Sequence, residues 1–387
     1  MQENTTEGKL RVVLLASAMA LVTGCQATQG PDGDIDSVDG ARATQVDNSL
    51  REIVERHDIN TAGVALIKGG QIEWQGYYGM QSDGVPASPS TLFNVASMTK
   101  TVTTETILRL VDDGRLELDE PMARYWVDPD LQNEPNVNLL TARMALTHTT
   151  GFMNWRFQTD DFKLRFLEQP GAKFGYSGEG FQYLARYAEN KLDTPFEELV
   201  KATIFLPLGI RDASISVRKE NFERIAKPLD ADGDFYGYYC HPTGYCRDEG
   251  SYSAAGDMVI TVADFARFLI SAMQPSLSAS LLEQRNRIHV TSYEIDCQAS
   301  PDALCPRRVG YGLGWSIVEL DDGILIGHTG SDWSSVALAY YYAQSGDGLV
   351  AVFNAPNRAG IVAMVETLEL LDPNSPRLHE YRTRRDR

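Results

Sequence analysis

The stretch Phe93-Asn94-Val95-Ala96-Ser97-Met98-Thr99-Lys100 sets a serine and a lysine one helical turn apart where a helix is expected to begin. Residues three apart on a helix share a face, so the Lys100 amine can lie beside the Ser97 hydroxyl and take its proton. Val102, Ile107, Leu110 and Val111 continue as a broken apolar stripe, and Asp112-Asp113-Gly114 supplies the stop. Ser97 therefore falls near a helix N-terminus, where free N–H groups and the positive dipole end favour an oxyanion developing beside it. A second Ser-x-x-Lys, Ser216 to Lys219, follows the β-branched run Ala213-Ser214-Ile215-Ser216-Val217. Strand alternation there would turn its two side chains to opposite faces.

Working outward, both ends of the chain read as parts of one sheet. Residues 46–58 form an amphipathic helix, and residues 62–68 and 71–78 form strands joined by the turn Gly69-Gly70. At the other end, strands are expected over 313–318, 324–327, 336–342 and 348–353. A helix over 262–273 precedes them and one over 358–371 closes the domain. The intervening residues, about 121–249, are mainly helical and loop-like, with helices near 139–147, 181–192 and 195–205, and read as a second lobe. The expected fold is α+β: an antiparallel sheet flanked by helices, plus an all-helical lobe.

The formal net charge of −18 disfavours nucleic acid as a partner, because phosphate binding needs clustered cations. The arginine-rich residues 381–387 are the exception and read, within a C-terminal tail over 373–387, as a solvated end. Lys9 and Arg11 precede the apolar run Val12–Val22 and the ending Thr23-Gly24-Cys25, a secretory pattern. Val22-Thr23-Gly24-Cys25 resembles a bacterial lipobox, which implies cleavage before Cys25 and lipid on its new N-terminus. Residues 1–25 then form a signal peptide, 26–43 a disordered tether, and 44–372 the folded domain. The expected location is the bacterial cell envelope, anchored to a membrane by lipid and facing the periplasm or exterior.

An exported chain permits disulfides. Cys240/Cys246 and Cys297/Cys305 form two close pairs, with crossed pairing also open to the four. Neither pair has Cys-x-x-Cys spacing and His241 is the one histidine beside them, so no metal site is expected. No cofactor is implied.

With Ser97-Met98-Thr99-Lys100, Gly114-Arg115-Leu116-Glu117-Leu118-Asp119-Glu120-Pro121, Leu146-Thr147-His148-Thr149-Thr150-Gly151, Tyr176-Ser177-Gly178 and His328-Thr329-Gly330 in this order, the chain resembles the class C β-lactamase-related serine hydrolases. That group includes β-lactamases, penicillin-binding proteins, D-aminopeptidases, esterases and amidases. The resemblance runs from about Val46 to Leu371 and implies a β-lactamase/transpeptidase-like fold with its site between sheet and lobe. It implies Ser97 as nucleophile, Lys100 and Tyr176 as proton carriers, and His328, Thr329 and Gly330 as a substrate-binding edge strand. The Ser97 and Ser331 N–H groups form the implied oxyanion hole, and His148 is expected to support the lobe. Two departures stand out. Gly178 replaces an amide side chain, and His328 replaces a lysine, removing a permanent cation that would attract a carboxylate. The expected activity is hydrolysis of a small ester or amide rather than efficient β-lactam cleavage. The competing class is a catalytically idle lipoprotein that binds cell-wall peptides or a protein partner.

Overall fold

The computed structural model describes Met1 and residues 35–386. The expected signal peptide and lipidation site, Cys25, lie outside the described residues. In chain order, helix α1 (Gly40–Arg56) leads to strands β1 (Thr61–Lys68), β2 (Gln71–Ser82) and β3 (Val85–Pro86). A short strand β4 (Phe93–Asn94) and a 3-10 turn (Ala96–Met98) open helix α2 (Thr99–Asp112). The lobe contains α3 (Ala142–Leu146), α4 (Gly178–Leu192) and α5 (Phe196–Val200), the last continuing as a π turn (Lys201–Phe205). Strands β5 (Ala213–Ser214) and β6 (Val259–Ile260) follow, then α6 (Val262–Met273) and α7 (Ala279–Asn286). The remainder is β7 (Val290–Tyr293), β8 (Arg308–Tyr311), β9 (Ser316–Glu319), β10 (Ile324–Ser331), β11 (Val336–Tyr342), β12 (Gly348–Asn354), α8 (Asn357–Leu371) and α9 (Arg377–Arg385).

Nine strands form one antiparallel sheet in the order β3-β2-β1-β12-β11-β10-β9-β8-β7, with β1 registered on β12 from Thr61↔Asn354 to Ile67↔Gly348. The central strands are buried on both faces, which is why they read as unbroken apolar runs. Alternation still divides them. Ala337, Ala339 and Tyr341 face the core shared with α2, α6 and the lobe, whereas Val336, Leu338, Tyr340 and Tyr342 face the layer of α1, α8 and α9.

Helix α2 runs through the larger core and is buried almost all round, so its polar side chains must find internal partners. Thr99 and Thr101 donate to carbonyls one turn back, Ala96 O and Met98 O, each at 2.7 Å. Glu105 takes Arg285 Nε at 2.6 Å and Trp315 Nε1 at 3.0 Å, with Glu105 and Arg285 wholly buried. The helix ends at Asp112, and Gly114 takes the left-handed φ of 69° that the stop requires.

Three boundaries differ from the sequence reading. The tether does not extend to residue 43: Ile35 and Val38 are buried, Val38 N donates to Glu73 Oε2 at 2.9 Å, and α1 starts at Gly40. The arginine-rich end is not a solvated tail, because α9 buries Leu378 and Tyr381 against the sheet and Tyr381 Oη donates to Ala337 O at 3.2 Å. The strand expected over 213–217 stops at Ser214. Ser216 Oγ there donates to Glu197 Oε1 at 2.6 Å while Lys219 pairs with Glu249 at 2.6 Å, so the second Ser-x-x-Lys is not a working pair.

Candidate active site

Ser97 lies in the 3-10 turn just before α2, after Ala96, whose φ of 46° is unusual for a residue with a side chain. Asn94 Oδ1 holds the turn by accepting from Ala96 N at 2.7 Å. One turn on, Lys100 Nζ lies 3.1 Å from Ser97 Oγ and 2.8 Å from Ala255 O. A neutral amine in that position can donate to the carbonyl and turn its lone pair to the serine hydroxyl. Lys100 is wholly buried, and that burial pulls its pKa down from 10.5 to about 7.

Ser177 caps α4, accepting from Gly180 N at 3.0 Å, and this fixes Tyr176 at the helix entrance. The Tyr176 ring lies 4.8 Å from Lys100 Nζ, beside the Ser97–Lys100 pair. Burial raises the Tyr176 pKa above its ordinary range, against the smaller opposing effect of Ser97, so the phenol stays protonated. His148 stacks on the Tyr176 ring at 4.3 Å and accepts from Ser177 N through Nδ1 at 3.1 Å. It therefore braces the tyrosine as well as the lobe.

Past Gly327, β9 no longer pairs with β10, leaving residues 328–331 as an open edge. Asp332 N donates to Ser335 O at 2.8 Å at the β10–β11 turn. The alternation of antiparallel bonds then turns the Ser331 and Thr329 backbone groups away from β11, toward that open edge. Gly330 packs the edge against the serine turn: a Cβ there would lie 2.4 Å from Val95 O. His328 differs from the expected cleft-lining role. It is 1% exposed, its Nδ1 lies 2.6 Å from Thr329 O, and its ring sits 5.9 Å from that of Tyr311 and 6.3 Å from that of Tyr176. Burial and then the nearby Lys100 charge lower its pKa to about 3, leaving it neutral.

The structure thus brings Ser97, Lys100, Tyr176 and the 328–331 edge together beside a cleft of about 1000 Å³. Among residues the sequence reading did not single out, Asn154, Trp155, Arg156 and Trp333 line it. Arg156 ties Asp128 at 2.7 Å and Glu179 at 2.8 Å, holding the loop to the start of α4. Asn154 Oδ1 accepts from Gly178 N at 2.9 Å. A Cβ on Gly178 would fall 2.3 Å from Trp155 Cη2, so the indole fills the space a longer residue would need. Cys240 is bonded to Cys246 and Cys297 to Cys305. Among the described residues, no cluster of three or more His, Cys, Asp or Glu side chains could hold a metal ion.

Residues 46–371 match the family described as Beta-lactamase. The chain belongs to that family. A beta-lactamase from Pseudomonas fluorescens is 25% identical over 201 residues, 49% of this chain and 55% of that protein. Esterase EstB from Burkholderia gladioli is 29% identical over 220 residues, 48% of this chain and 55% of that protein. The chain therefore spans about half the length of these curated relatives. The octameric penicillin-binding protein homologue from Pyrococcus abyssi superposes with a TM-score of 0.69 at 22% identity, covering 88% of this chain and 80% of that one. That likeness is one of fold, and it agrees with the α+β architecture.

Proposed function

We propose that the protein is a serine hydrolase that cleaves a small ester or amide through an acyl-enzyme on Ser97. The observation that carries this reading is Lys100 Nζ at 3.1 Å from Ser97 Oγ, buried and close to half neutral at pH 7. Lys100 takes the Ser97 proton as Oγ attacks the carbonyl carbon, and the Ser97 and Ser331 N–H groups hold the resulting oxyanion. Tyr176 gives its hydroxyl proton to the leaving oxygen or nitrogen while Lys100 replaces it, so no charged tyrosine accumulates. The C–O or C–N bond breaks and the alcohol or amine departs. Water then attacks the acyl carbon, gives its proton to the same relay, and returns Ser97 to its hydroxyl form.

Activity as an esterase, amidase or peptidase fits better than efficient β-lactamase activity. His328 is neutral at the strand position where the family resemblance expects a cation, and Gly178 lacks the expected amide side chain. The sequence Val22-Thr23-Gly24-Cys25 supports, as a further part of the reading, lipid anchoring at Cys25 in the bacterial cell envelope. A fluorophosphonate probe should label the native protein on Ser97, and Ser97→Ala should lose both labelling and turnover. A native protein that neither labels nor cleaves any of a panel of esters, D-amino-acid amides and β-lactams would favour the idle binding lipoprotein instead.

A further inference from the structure

The cleft wall beyond the catalytic cluster carries a run of rings drawn from three separate segments. Trp155 lies 5.6 Å from Lys100 Nζ, and Phe157 stacks on it at 5.5 Å. Phe157 meets His241 edge-on at 5.1 Å and Tyr245 at 6.2 Å, both on the hairpin closed by Cys240–Cys246. His241 meets Trp333 of the β10–β11 turn at 5.5 Å, and Trp333 Nε1 donates to His241 Nδ1 at 2.9 Å. Trp155, Phe157, His241, Tyr245 and Trp333 all line the cleft. At its mouth Tyr245 and Trp333 are 38% and 45% exposed, so their rings are open to the cleft.

Charge narrows what this wall can take. The cleft-lining cations are Arg156, Arg186 and Arg247, and each is tied to carboxylates: Asp128 and Glu179, Glu189, and Asp257 respectively. Among the described residues lining the wall, an anionic group finds no arginine or lysine without an acidic partner. A flat neutral ring finds several faces and edges at stacking distance.

We propose that this wall is a subsite for an aromatic group carried next to the scissile ester or amide bond, and that Gly178 makes it possible by leaving room for the Trp155 indole. The proposal rests on the hydrolase reading above and adds its substrate class. A side chain at 178 would expel the indole, so Gly178 and Trp155 act as a specificity pair.

Two matched series on the full chain test it: phenylacetyl against acetyl esters with one leaving group, and benzyl against methyl esters with one acyl group. In at least one series the ring-bearing member should show kcat/KM higher by about tenfold or more, expressed mainly in KM, as one good aromatic contact provides. Tyr245→Ala and Trp333→Ala should shrink that ratio toward one. Gly178→Asn should collapse it, and adding Trp155→Ala should recover turnover of the small member by freeing the space. Should Gly178→Asn fail to fold, the two mouth variants still decide the matter. No ring preference in either wild-type series, or a ratio untouched by both mouth variants, overturns the subsite while turnover lost in Ser97→Ala upholds the hydrolase reading. If the native protein cleaves nothing, that reading fails. The subsite then rests on phenylacetamide shifting the tryptophan indole N–H resonances of Ser97→Ala protein at concentrations where acetamide does not, and equal shifts overturn it.

Discussion

On the proposed mechanism, lowering the pH should switch hydrolysis off through Lys100. Burial moves this lysine from 10.5 to about 7, which corresponds to a penalty on the order of 5 kcal/mol against its charged form. The base must be neutral to accept the Ser97 proton, so activity is present above the folded pKa and is lost as pH falls through it. About half of the molecules carry neutral Lys100 at pH 7, about a tenth at pH 6 and about a hundredth at pH 5. The groups packed nearest Lys100 leave this limb to the lysine. Burial holds Tyr176 protonated well above neutral pH, His328 titrates near 3, and burial lowers His148 well below the ordinary histidine value. The expected kcat/KM for a simple ester, measured from pH 5 to 9 at constant ionic strength, therefore rises about tenfold per unit and levels off around pH 7 to 8. Lys100→Arg keeps the charge but cannot release a proton at these pH values, so it should lose at least ~10³-fold in kcat and show no limb near 7. A flat profile, or a midpoint above pH 9 in the wild type, would refute the assignment of Lys100 as base.

The same burial costs stability. Lys100→Met should raise the urea midpoint at pH 7, and its advantage over wild type should shrink as pH climbs from 7 to 10.5, where the unfolded lysine also loses its proton; an advantage that grows over that range contradicts the sign. Glu105→Leu leaves Arg285 buried without its carboxylate and should cost about 3–5 kcal/mol in chemical denaturation, and a loss under about 1 kcal/mol would show that Arg285 is held by its other partners. Opening the Cys240–Cys246 link by Cys240→Ser with Cys246→Ser should cost about 2 kcal/mol or less for so short a loop, read by thermal melting. Intact-mass analysis of membrane-extracted protein should find Cys25 as an acylated N-terminus, and cleavage at another residue would reject the lipobox.

Some of this was legible in the sequence because the physics is local. The three-residue spacing of Ser97 and Lys100 places them on one face wherever a helix forms, and the apolar runs of β11 and β12 announce strands buried on both sides. Strands β7 and β8 escaped because residues 290–293 and 308–311 are short and mix polar with apolar types, leaving no period to count. The two-residue strands β4 and β6 fall below any pattern length, and β5 is the short remnant of the strand expected over 213–217. Ala255 could not be found at all: it serves through its carbonyl, and a backbone oxygen has no signature in sequence. In α9 the arginines dominated the composition and masked Leu378 and Tyr381, which lie three apart on the buried face. Trp155 and Gly178 are individually ordinary, and only their contact across the lobe gives the pair meaning.

The union of β1 with β12 also governs when the site can exist during synthesis. Strand β1 ends at Lys68 and its partner begins at Gly348, and the serine turn waits a somewhat shorter stretch for the 328–331 edge. At a ribosomal pace of roughly 5–20 residues per second, Ser97 emerges roughly 10–50 s before the strand that would complete the proposed oxyanion hole. Contacts so distant in the chain also make folding slow. A nascent or prematurely terminated polypeptide therefore carries the Ser97–Lys100 pair without the 328–331 edge, and the proposed site stays incomplete until the last strands have arrived.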